Sequence, residues 1–120
     1  MLGVHIKKIG EMAVAECEGR LVRSEATFKL REAVTSQRDA HIIVLDLSAV
    51  SAIEGGGLGM LVFLQRWACD HDIRFKLFNP TKSVRDRLEC VGSMQEFDIA
   101  TRDEMMALLA RADSRYALAA

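Results

Sequence analysis

The chain has 120 residues, half of them hydrophobic, with 16 Lys and Arg against 17 Asp and Glu for a formal net charge of −1. This length suits one domain, residues 1–120, with a core of its own and no room for a second. A nearly neutral chain gathers neither phosphates nor anionic lipid, which counts against nucleic-acid and membrane-surface binding. Cys17, Cys69 and Cys90 are widely spaced and form no CxxC pair. They read as reduced thiols of a cytoplasmic protein rather than as a zinc or thioredoxin site. The start, Met1 to Lys8, does not have the pattern of a signal peptide. The apolar runs at 42–45 and 58–64 are too short to insert across a membrane.

Residues 4–8 and 12–18 are predicted as two short strands joined by a turn at Ile9-Gly10-Glu11, with Gly19 ending the second. Ser24 precedes an amphipathic stretch to Gln37 in which Ala26, Leu30, Ala33 and Val34 recur at helical spacing, and its hydroxyl can cap the first amides. Ile42-Ile43-Val44-Leu45 reads as a central strand covered on both faces. A loop is predicted from Asp46 to Gly56, then a helix from about Gly57 to Asp70 that is apolar on nearly all sides. Leu58 and Leu61, with Val62 and Gln65, are expected to face the sheet, and Met60, with Phe63, Leu64 and Trp67, to face elsewhere. Ile73, Phe75 and Leu77 alternate with Arg74 and Lys76, the pattern of a strand with one wetter face, stopped by Asn79-Pro80. A third helix starts at Thr81 or Lys82, carries Val84, Leu88 and Val91 on one face and stops at Gly92. Residues 97–99 are a short strand. Thr101 and Glu104 then form a capping box for a last helix with the stripe Met105, Leu108, Leu109 and Ala112, fraying after Ser114. The order ββαβαβαβα is that of an α/β domain with a mixed sheet flanked by helices, parallel after its opening hairpin.

The segment from Asp46 to Gly59 is the most informative, because the carboxyl-end loops of α/β sheets are where ligands and partners are met. It runs Asp46-Leu47-Ser48, then Ala49 to Ile53, then Glu54-Gly55-Gly56-Gly57-Leu58-Gly59. The pattern resembles the signature of STAS domains, the family of anti-sigma-factor antagonists and of the cytoplasmic tails of sulfate transporters. That signature is a buried strand ending in Asp-Leu-Ser, a short loop, and Asp-Ser-Ser-Gly-Leu-Gly leading into a helix. Asp46-Leu47-Ser48 and Gly57-Leu58-Gly59 match it, and the hairpin, Asn79-Pro80, Val91-Gly92 and Phe97 extend the likeness over about residues 4–112. The resemblance implies a single STAS-like domain that acts as a non-enzymatic regulatory module. It would dock a protein, such as an anti-sigma factor or a STAS-containing signalling assembly, through Ser48, Ser51, Glu54, Gly55, Gly56, Gly57, Leu58, Gly59 and Met60. The alternative is an accessory subunit of a membrane transporter complex; homodimerisation stays open.

The departures from the signature matter as much. Glu54 stands where the family has Asp, and Gly55 and Gly56 where it has two serines. By the resemblance, Gly56 falls on the serine that an anti-sigma kinase phosphorylates to block binding. Glycine has no hydroxyl, so that switch is lost, and Ser48 and Ser51 are the nearest substitute acceptors. Read for shape alone, the glycines make a turn into a helix, and a positive φ at Gly57 would be the reason a side chain is refused there. The run fits neither GxxxxGK(S/T) nor GxGxxG, and Glu54 would repel an anion, so no nucleotide or other cofactor is expected. His5, His41 and His71 lack metal-ligand spacing, GxSxG is absent, and Arg85, Asp86, Arg87 and Glu89 read as the solvated face of the third helix.

Overall fold

Gly10 turns the chain at φ 59°, where a side chain would be strained, and so opens the fold with a hairpin. Strands β1 (Leu2–Ile9) and β2 (Met12–Leu21) pair antiparallel in the computed structural model, which describes residues 2–22, 24–90 and 97–119, the side chains of Cys90 and 112–119 excepted. There follow α1 (Glu25–Thr35), β3 (Ile42–Ile53), α2 (Gly55–Asp70), β4 (Arg74–Phe78), α3 (Lys82–Cys90), β5 (Asp98–Ala100) and α4 (Arg102–Ala119). The five strands lie in the order β1-β2-β3-β4-β5, parallel from β2 onward. The predicted element order and mixed sheet are therefore present. Ser24 caps α1 as expected, its hydroxyl accepting from the Thr27 amide at 3.2 Å.

Alternation along the strands divides the interior into two unequal parts. Ala13 and Ala15 of β2, Ile43 and Leu45 of β3, and Phe75 and Leu77 of β4 join the main core with the apolar faces of α1, α2 and α3. Met12, Val14 and Val44 point the other way and form a small cluster with Met105, on which Leu108 and Leu109 of α4 pack. Leu108 and Leu109 thus belong to the predicted stripe. Ala112 of that stripe, and Val91 and Gly92 of the predicted third helix end, lie outside the described side chains and residues.

The structure corrects several boundaries. The loop predicted at 46–53 is strand: β3 runs through to Ile53. Two register shifts against β2, between Glu16 and Glu18 and between Gly19 and Arg20, each give β3 one extra residue. Each extra residue re-phases the alternation, so the buried side chains Leu47, Val50 and Ile53 fall three apart, a spacing that neither the strand nor the helix template finds. Nor does Gly19 end β2. It sits within the strand at φ 111°, and pairing continues to Leu21. Helix α2 begins at Gly55, two residues early, and α4 continues as helix to Ala119 rather than fraying after Ser114. The buried stripe of α2 is Gly57, Leu61, Leu64 and Ala68, so Leu64 faces the core with Leu61 instead of turning away. The wetter face expected of β4 is not wet at Lys76. That side chain is buried and donates to Asp98 Oδ2 at 2.7 Å, because β5 extends the sheet beside it.

Cys17 is 2% exposed in the main core, and burial, with a smaller contribution from the Asp46 carboxylate, pushes its thiol up to about 12. Below that pH the group is protonated, and the thiolate is the reactive form. Cys69, exposed on α2, has no such protection. Alkylation of the folded protein at about pH 8, read by peptide mass mapping, is expected to label Cys69 and spare Cys17, and to label both after denaturation. Equal native labelling would contradict the buried site.

Candidate docking site

The extra residues in β3 bring the end of β2 alongside the start of α2. The Glu54 amide donates to the Leu21 carbonyl at 3.0 Å, and the Ser51 hydroxyl donates to the Gly19 carbonyl at 3.2 Å. Arg20 reaches the Glu54 carboxylate at 3.3 Å, an exposed pair whose contribution to stability is on the order of 0–1 kcal/mol. Glu54 is the N-cap of α2 in extended conformation, yet its side chain makes no capping bond, being directed to Arg20. Arg20 is the neighbour of Glu54 that sequence reasoning missed; it enters only because β2 continues past Gly19.

The reason Gly57 is glycine differs from the one expected. Its φ is not positive; among the described residues only Gly10 and Gly19 are glycines of that kind. A Cβ on Gly57 would instead lie 2.2 Å from the Leu21 carbonyl oxygen and 3.0 Å from Ile53 Cγ1. Helix α2 is seated directly against the end of β2, and only a residue without a side chain lets it approach. Gly55 and Gly59 meet nothing within 4 Å at the same test.

The predicted site residues divide into two places. Ser51 and residues 54–60 gather at the start of α2. Ser48 does not join them. Its amide donates to Asp46 Oδ1 at 3.0 Å, its hydroxyl bonds the same oxygen, and it lines a groove with His5, Glu16, Glu18 and Asp46 to which α2 contributes no residue. Met60 and Leu58 are half-buried and packed against the main core, so Met60 is not a free surface residue.

The outward stripe of α2 is Gly56, Gly59, Phe63, Arg66 and Asp70, all exposed and three or four residues apart. Gly59, Phe63 and Arg66, with Val62, Trp67 and Asp70, line an open groove of about 470 Å³. Beside it, Arg31 of α1 lays its guanidinium 3.9 Å from the ring centre of Phe63 and 5.5 Å from that of Phe28. Phe28 and Phe63 are 51% and 37% exposed. Aromatic and Arg side chains are the usual anchors of protein interfaces. The patch spans two helices, which is why no single-helix pattern disclosed Phe28. Among the described residues no His, Cys, Asp and Glu group could hold a metal ion, and no helix is long and apolar enough to cross a membrane.

The family model for the STAS domain matches residues 6–104. The chain belongs to the STAS domain family. The same fold is found in the unphosphorylated form of the anti-sigma factor antagonist SpoIIAA, at 18% identity and a TM-score of 0.74, covering 90% of this chain and 96% of that one. An anti-sigma factor antagonist from Mycobacterium paratuberculosis superposes with a TM-score of 0.74 at 17% identity, covering 92% and 95%. The structure of SLC26A9 contains the fold as well, at 15% identity and a TM-score of 0.69, with 91% of this STAS domain matching 21% of that chain. No curated protein matches the chain in sequence. At these identities the neighbours establish the architecture.

Proposed function

We propose that this STAS domain is a regulatory protein-binding module that docks a signalling partner through the start and outward stripe of α2, and that it lacks the serine switch. The observation that carries the reading is Gly56. It is exposed in the first turn of α2, in line with Gly59 and Phe63, and by the family resemblance it occupies the phosphoserine position. A phosphate there would place a dianion in the contact, adding charge and a desolvation cost. With glycine the surface stays in its unmodified, binding-competent state. The partner class that fits is an anti-sigma factor or a STAS-containing signalling assembly, as the SpoIIAA-like neighbours suggest, and the domain contributes no covalent chemistry.

The test restores a charge at that position. Gly56→Asp is expected to lower capture of the partner from native lysate by about tenfold or more, as an unpaired carboxylate does in a desolvated contact, while leaving the melting temperature nearly unchanged. Gly56→Ser should retain capture until it is phosphorylated. Undiminished capture by a folded Gly56→Asp would refute the reading. The SLC26A9 match favours a second reading, an accessory subunit of a transporter, and recovery of permease components in the same capture would support it.

A further inference from the structure

At the opposite end of the sheet from the start of α2, the amino-terminal ends of β2, β3 and β4 and one face of α4 enclose a cleft of about 250 Å³. Its floor is apolar: Met12, Ile42 and Leu108, all members of the smaller cluster. Its rim is charged and carries a cationic excess: Arg74 and Arg111 border it, together with His41 and the Glu11 carboxylate, which lie 3.0 Å apart. Among the described residues neither arginine has a carboxylate partner.

We propose that this cleft is a binding site for a small aliphatic carboxylate. Guanidinium groups present forked donors that match a carboxylate, and two of them face the single Glu11 carboxylate across the cleft mouth, a net positive excess that an anionic head would meet. The apolar floor beneath them calls for a hydrocarbon body on the same molecule. A cleft of about 250 Å³ suits a short aliphatic acid, for which hexanoate is the probe. Inorganic phosphate would leave the floor unused, and a neutral alkyl chain would leave the positive excess unmet. The occupant would bridge α4, through Leu108 and Arg111, to the strands carrying Met12, Ile42 and Arg74. A ligand bound only by the folded state also raises its stability.

Methyl-detected NMR titration of the full chain with hexanoate tests the site. Saturable shifts at Met12, Ile42 and Leu108 are expected with a Kd on the order of 1 mM or tighter, accompanied by a rise in melting temperature. Hexanol and hexylamine should bind about tenfold more weakly or worse. The double variant Arg74→Gln, Arg111→Gln changes exposed groups, should melt like the wild type, and should weaken hexanoate by about tenfold or more. The proposal is overturned if hexanoate fails to saturate, if hexanol or hexylamine matches it, or if inorganic phosphate moves the same signals with equal affinity. Unchanged hexanoate binding by the folded double variant overturns it equally. The site is remote from α2, so none of these outcomes bears on the docking surface.

Discussion

Gly57→Val is expected to abolish the folded domain, and Gly57→Ala to destabilise it by about 3 kcal/mol or more, lowering the melting temperature by roughly 10 °C. The first atom of any side chain would meet the Leu21 carbonyl oxygen at 2.2 Å and its carbon at 2.8 Å. Both are backbone atoms, so no rotamer change relieves the overlap; α2 or the end of β2 must move. Moving either breaks the bond from the Glu54 amide to the same carbonyl and pulls Leu61 and Leu64 from the core. Gly59→Ala is the control, two residues along the same helix. Nothing lies within 4 Å of its Cβ, so the change should add about 0.5–1 kcal/mol through helix propensity. Thermal melts of the two alanine variants should diverge in sign. Coincident melts would mean that α2 is not seated against Leu21.

The second large effect concerns the buried ammonium in β4. Lys76 is 5% exposed and donates at 2.7 Å to Asp98, whose own side chain is 56% exposed. Asp98→Ala leaves the ammonium buried without its partner and is expected to cost about 2–3 kcal/mol. That is the low end for such losses, since water reaches the carboxylate side. Lys76→Met keeps the aliphatic stem and removes the charge, and should fall within about 1 kcal/mol of the wild type or exceed it. The double variant should therefore recover most of what Asp98→Ala loses. Denaturant melts of the three variants decide this. A full loss in Lys76→Met would show that the pair itself, and not the relief of a stranded charge, sustains the junction of β4 and β5.

A large part of this architecture is local in origin and was legible from residue order. Ser24 before an amphipathic stretch, the β-branched run at 42–45, and Thr101 before Met105 each specify an element by short-range capping or periodicity, and each element is present. The STAS signature was legible too, because Asp46-Leu47-Ser48 and Gly57-Leu58-Gly59 are contiguous motifs, and the family match over residues 6–104 agrees with it. The absence of a hydroxyl at Gly56 is likewise a property of the chain alone.

What the tertiary structure decided are the relations between segments far apart in sequence. The extra residues in β3 have meaning only against β2, so the strand character of 46–53 and the separation of Ser48 from the α2 surface could not be read from either segment. The need for glycine at 57 arises from a carbonyl thirty-six positions earlier, which is why a local argument from φ gave the wrong cause. Lys76 looked solvated by alternation and is buried because β5 pairs beside it, and Phe28 and Phe63 became one patch only through the packing of α1 on α2. Periodicity and capping are set by neighbours along the chain; register, close approach and shared surfaces are set by neighbours in space, and only the folded sheet brings those together.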